Sequence, residues 1–283
     1  MYTSEMHTGV KAVIFDWAGT IIDYGCMAPV VAFVEIFQRF GIDLSVGEAR
    51  GPMGLAKRDH VIEILKLENV LEQWRTKYGK DPVNEDIDKI YAELDSAMVS
   101  TAKEYAVPIR GAVDLFHELR ANEIKLGTTT GYVDSIMKNI IPKVNSLGID
   151  PDAIVTSSQV QTGRPAPYMV YLNAVIMGVY PLYQMIKVGD TVADVKEGLN
   201  AGMWTIGVTQ SGNELGLSEN ETDNLLFEEL SSRTNKAASR LFEAGAHYVV
   251  DGVWDCLPVI NEINFRILEG EYPQKKQFKH TEE

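Results

Sequence analysis

The chain has 283 residues, 45% of them hydrophobic, which is enough for one large or two modest domains with a buried core. Its formal net charge of -14 is spread along the length without an acidic or basic block, which argues against nucleic acid; an anionic ligand would need a local site built from a few Lys or Arg and a metal. Two distant cysteines, Cys26 and Cys256, indicate neither a disulfide framework nor a zinc site, and with no leader-like start and no membrane-length apolar run a cytoplasmic location is expected.

In chain order, short apolar runs at 13–15, 124–127, 153–155, 185–188, 205–208 and 248–250 alternate with amphipathic segments. Near-continuous apolar strands separated by helices predict an α/β fold with a parallel sheet covered on both faces. Between 25 and 105 the rhythm breaks. Apolar residues there recur at helical spacing, and helices are expected over 30–40, 55–67, 71–77 and 85–105, separated by Gly41, Gly51-Pro52 and Gly79-Lys80-Asp81-Pro82. A helical domain of residues 25–105 is therefore expected to interrupt a core made of 1–24 and 106–283. From Glu269 onward the chain is polar and expected to fray.

Three polar endings follow apolar runs. Asp16 comes directly after 13–15 and precedes Ala18-Gly19-Thr20; Asp190 follows Ile186-Lys187-Val188-Gly189; Thr130-Gly131 closes the second run. Ligands of open parallel sheets sit beyond the carboxyl ends of the strands, so these groups are expected to converge. An Asp in such a place is commonly only a turn former or helix cap. Together, however, two carboxylates suit phosphoryl transfer, one as nucleophile and the other holding magnesium, a cation that prefers oxygen ligands and offsets the charge of an anionic substrate. The Thr130 hydroxyl and Gly131 N–H would cradle phosphate oxygens.

The string Asp16-Trp17-Ala18-Gly19-Thr20, the Thr130-Gly131 ending, Arg164 in a Gly-Arg-Pro loop, and Gly189-Asp190-Thr191 with Asp194 resemble, in this order, the motifs of the haloacid dehalogenase superfamily. The resemblance spans the chain and implies a Rossmann-like core interrupted after its first strand by an α-helical cap domain. It further implies Asp16 as nucleophile and magnesium ligand, the Ala18 carbonyl and Asp190 as further ligands, and Asp194 in support of the metal. Arg164 stands where the superfamily usually has lysine.

Most phosphatases of that superfamily carry a second Asp two residues after the nucleophile, because an alkoxide leaving group needs a proton. Here the position is Ala18. The cap supplies a different group: Lys57 falls on the apolar stripe shared with Val61 and Ile64, and His60 lies on the same face. A lysine held against apolar surface has a lowered pKa, and its neutral amine can form a Schiff base with a carbonyl. The plainer alternative is a lysine that buries its stem and snorkels its charge to water.

Asp16-Trp17-Ala18-Gly19-Thr20, Tyr24-Gly25-Cys26, Pro52-Met53-Gly54-Leu55 with Lys57 and His60, Thr130-Gly131-Tyr132 and Gly163-Arg164-Pro165 closely resemble the phosphonatase family. That resemblance implies cleavage of the P–C bond of phosphonoacetaldehyde to acetaldehyde and phosphate. Lys57 would form the Schiff base and Asp16 an aspartyl phosphate, with His60 moving protons and Met53, Cys26 and Tyr132 shaping the pocket. It also implies a homodimer joined through cap helices such as 30–40. One departure is Ile21, where the family more usually has Thr. A phosphatase acting on another small phosphorylated or phosphonate substrate, and a non-catalytic phosphonate-binding protein, stay open as alternatives.

Overall fold

The computed structural model describes residues 9–53, 55 and 57–273. All six apolar runs form strands: β1 (Ala12–Phe15), β2 (Lys125–Thr130), β3 (Ala153–Thr156), β4 (Met185–Gly189), β5 (Trp204–Val208) and β6 (Tyr248–Val250). They make one sheet in the order β3-β2-β1-β4-β5-β6, with every pairing parallel. The strand order reverses direction at β1, which places the ligand crevice of such sheets over its carboxyl end.

Burial of both faces explains why these strands read as continuous apolar runs. Val13 and Phe15 join the larger core cluster, whereas Ala12 and Ile14 pack with Val170, Ala174, Met185 and Met203 on the opposite face. The helices that follow the insertion are α6 (Ala112–Ala121), α7 (Asp134–Ser146), α8 (Tyr168–Met177), α9 (Val192–Ala201), α10 (Glu219–Asp223), α11 (Phe227–Glu243) and α12 (Cys256–Leu268).

Among the described residues, five helices lie before α6: α1 (Met27–Arg39), α2 (Val46–Arg50), α3 (Lys57–Leu65), α4 (Glu68–Tyr78) and α5 (Asn84–Tyr105). The helix expected over 55–67 is therefore shorter, and that over 71–77 starts earlier. Helix α2 was not anticipated, although Ser45 and Glu48 form a capping box that is legible in the sequence. The first helix is held at its start by Asp23, whose carboxylate accepts from Met27 N at 2.9 Å and Ala28 N at 3.1 Å. Side-chain capping by the adjacent Cys26 is absent, since that residue turns the chain in a left-handed conformation with φ 52°. Burial pushes the Asp23 carboxyl up to about 7 even against those two donors.

Phe33, Ile36 and Phe37 of α1 are buried together with Ile90, Leu94 and Met98 of α5 in the same core. The apolar face read as a possible dimer contact is thus largely spent inside the chain, leaving Val31 and Val34 half-buried. Among the described residues no helix is long and apolar enough to cross a membrane. Helix α12 ends at Leu268, next to the expected polar tail; residues 274–283, like residues 1–8, lie outside the described residues.

Candidate active site

Strand register brings the polar endings together. Phe15 is paired with Thr128 of β2 and with Val188 of β4, so Asp16, Thr130 and Asp190 all emerge at one edge of the sheet. They border one open cavity. Ala18, Gly131, Tyr132 and Arg164 line it with them, and Cys26, Met53 and Lys57 close it from the helical insertion. Two residues named from the sequence do not line it: Asp194 lies behind the floor and His60 one turn beyond Lys57.

Asp190 is fully buried. Its oxygens receive Cys26 Sγ at 3.3 Å, Asn213 N at 2.7 Å and, at the long limit of 3.5 Å, the Thr20 hydroxyl. Gly19 makes this enclosure possible: at φ +79° its added Cβ would lie 2.5 Å from Asp190 Oδ2 and 2.6 Å from Cys26 Sγ. Burial, followed by the charges of Asp16 and Asp194, pushes the Asp190 carboxyl well up; burial also raises Asp16, despite its ion pair with Arg164.

Ligand atoms of Asp16, Asp190 and Asp194 lie within 4.8 Å of one another. Three buried carboxylates so close repel unless protons or a cation intervene, and an all-oxygen donor set suits a hard divalent ion. The residues present therefore fit a metal. Asp194 is already engaged, with Oδ1 2.7 Å from Lys187 Nζ and 2.9 Å from Arg164 Nη1, and Oδ2 taking the Thr191 hydroxyl at 2.5 Å at the start of α9.

Lys187 and Glu197 were missed in the sequence. Both are buried beneath the cavity, paired with Asp194 and Arg164 respectively. A lysine inside an otherwise apolar strand was a usable signal, as was a glutamate three residues after Asp194 on the same helical face. Ile21 is fully buried in the apolar core, so a packing role is what the structure shows for the departure noted there.

On the opposite wall, Lys57 is buried with its Nζ 5.3 Å from the Tyr132 ring centroid and 5.8 Å from that of Phe33. Desolvation brings its pKa down to about 8. Snorkelling to water is thereby replaced by burial against ring faces. His60 is fully buried, its ring 3.9 Å from Phe33, with Nε2 2.8 Å from the Ala49 carbonyl. A carbonyl only accepts, so Nε2 carries the proton and Nδ1 presents a lone pair that has no partner among the described residues. Burial, and then the Lys57 charge, hold His60 down to about 3, hence neutral. Tyr132 N donates to Thr130 Oγ1 at 3.0 Å, which leaves the Thr130 hydroxyl proton available to a ligand.

A family model described as haloacid dehalogenase-like hydrolase matches residues 10–202. The phosphonoacetaldehyde hydrolase of Syntrophobacter fumaroxidans (strain DSM 10017 / MPOB) is 47% identical over 95% of this chain and 98% of its own length. That of Paraburkholderia xenovorans (strain LB400) is 44% identical over 93% and 99%. A crystal structure of a phosphonoacetaldehyde hydrolase-like protein from Oleispira antarctica superposes with a TM-score of 0.92 at 38% identity, covering 96% of this chain and 99% of that one. The chain belongs to the haloacid dehalogenase-like hydrolase family and, within it, to the phosphonoacetaldehyde hydrolases.

Proposed function

We propose that this enzyme hydrolyses the P–C bond of phosphonoacetaldehyde to acetaldehyde and phosphate. The observation that carries the reading is one cavity lined by Asp16 and by a buried lysine with pKa about 8, with Ala18 where a proton donor would otherwise stand. A carbanion is too poor a leaving group to depart unaided, and a carboxylic acid at position 18 would not remedy that.

In this mechanism the neutral Lys57 amine adds to the aldehyde and loses water, giving an imine that is protonated to an iminium. Asp16 attacks phosphorus, the P–C bond breaks, and its electrons enter the iminium to give an enamine. Water then hydrolyses the aspartyl phosphate. Protonation of the enamine carbon and hydrolysis of the imine release acetaldehyde and restore the amine. His60, neutral and with an Nδ1 lone pair that has no partner among the described residues, moves protons during imine formation. Arg164, Thr130 and the Gly131 N–H orient the phosphonate oxygens, while Met53, Cys26 and Tyr132 shape the aldehyde end. Magnesium held by Asp16, the Ala18 carbonyl and Asp190, with Asp194 in support, would offset the negative charge that gathers around phosphorus.

Residues 25–105 act as the cap that delivers Lys57 to a core of 1–24 and 106–283, in the cytoplasm. The deciding assay measures phosphate release from phosphonoacetaldehyde beside a generic phosphate ester, with and without magnesium. Turnover of the ester alone would reassign the enzyme as an ordinary phosphatase, and binding without release would make it a binding protein.

The amine must be free to attack. Below about 8 Lys57 is mostly protonated, above it mostly neutral, so kcat/KM is expected to climb with pH and level off past a limb near 8. A profile already flat from pH 6 upward would contradict this assignment. The assembly proposed is a homodimer through α1, supported by the half-buried Val31 and Val34 on its outer edge. A monomeric mass by light scattering at assay concentration would remove it.

A further inference from the structure

Arg164 reaches the cavity floor from a loop, and its long side chain is held there by three carboxylates. Nη2 is paired with Asp16 and donates to the Thr129 carbonyl at 2.9 Å; Nη1 lies 2.9 Å from Asp194 Oδ1; Nε lies 3.3 Å from Glu197 Oε2, an ion pair without hydrogen-bond geometry that leaves Nε without a hydrogen-bond partner among the described residues. The proposed reaction uses Asp16, and the metal uses Asp194. No step of the proposed reaction uses Glu197.

Yet Glu197 is wholly buried, a costly place for a carboxylate. Its Oε2 accepts from the Thr129 hydroxyl at 3.0 Å and lies 3.7 Å from Lys187 Nζ, while Oε1 has no partner among the described residues. It stands on α9, one turn past Asp194, so a rigid helix presents two acids to one guanidinium.

We propose that Glu197 is a positioning residue for Arg164: its charge attracts the Nε side of the guanidinium, keeps the nitrogen fork turned to the phosphoryl position, and draws guanidinium charge away from Asp16. Three carboxylates compete for one cation. Without the Glu197 charge the guanidinium leans further onto Asp16, which ties up the nucleophile and turns the nitrogen fork away from the phosphoryl oxygens. The inference rests on the reading of Asp16 as nucleophile and Arg164 as the phosphonate-binding cation.

The test is Glu197→Gln, which keeps the shape and the acceptor for Thr129 but removes the charge. Phosphate release should fall in kcat on the order of 10- to 100-fold, as misplacement of a reacting group does. Affinity for inorganic phosphate, titrated calorimetrically in magnesium, should weaken about 10-fold, while borohydride trapping of the aldehyde on Lys57 stays at the wild-type level. General disruption would lower trapping as well, and that result would overturn the positioning role. Glu197→Asp keeps the charge on a shorter arm and should recover part of both losses. A folded Glu197→Gln protein with kcat and phosphate affinity within about twofold of wild type overturns the proposal. Should that variant not fold, wild-type values in Glu197→Asp overturn it instead. Phosphate affinity needs no imine, so failure of Lys57 trapping in the wild type would sink the Schiff-base reading and leave this comparison standing.

Discussion

Lys57→Arg should abolish P–C cleavage, with a loss in kcat on the order of 10⁴-fold or more, the scale seen when a nucleophile is removed. Arginine keeps the positive charge and much of the length, so the variant separates electrostatics from nucleophilicity. A guanidinium is delocalised, stays protonated in proteins and offers no amine lone pair to a carbonyl. Lys57 sits against the rings of Phe33 and Tyr132, where burial has already brought its amine to about 8, within reach of the neutral form at working pH. Borohydride added with substrate should reduce the imine to a stable adduct on Lys57, located by peptide mass mapping, and give none in the arginine variant. Wild-type phosphate release from Lys57→Arg would end the Schiff-base mechanism.

The second large effect belongs to the other wall of the cavity. Asp16→Asn removes the attacking carboxylate while preserving its outline, and phosphate release is expected to drop on the order of 10⁴- to 10⁶-fold. Imine formation should survive, because Lys57 approaches from the helical insertion and loss of the Asp16 charge only makes its amine easier to deprotonate. The pair of variants therefore splits the reaction: one blocks both half-steps, the other lets the first proceed and stops the second. Loss of the borohydride adduct in Asp16→Asn would mean that the two groups are not independent, and the proposed order of events would fail.

This division follows from the architecture. Asp16 is rigid because β1 lies between β2 and β4 and its N–H is bonded to the Val188 carbonyl at 2.9 Å. Lys57 opens α3 in the helices inserted after that strand. Under the proposed mechanism, placing the two groups on separate elements would let aldehyde chemistry and phosphorus chemistry each be tuned locally. Burial against ring faces lowers the amine, and a crowd of carboxylates and cations surrounds the acid.

The strands were legible from the sequence because a parallel strand covered on both faces has no polar side to show, and a short continuous apolar run is the result. Their polar endings were legible for the same reason, since Asp16, Thr130 and Asp190 interrupt apolar runs where strands stop. The Trp17-Ala18 pair and Lys57 carry the resemblance to the phosphonatase family in the sequence itself. What the sequence could not decide was how many charges the floor would bury together. Lys187 looks misplaced in β4, and Glu197 looks like an ordinary helical acid, until the fold brings both to Arg164 and Asp194. His60 likewise shares a helical face with Lys57 in any reading, yet only packing against Phe33 and the Ala49 carbonyl shows which of its nitrogens is free. Periodicity reports burial one element at a time; the balance of a buried charge cluster depends on residues far apart in the chain, and only their tertiary convergence decides it.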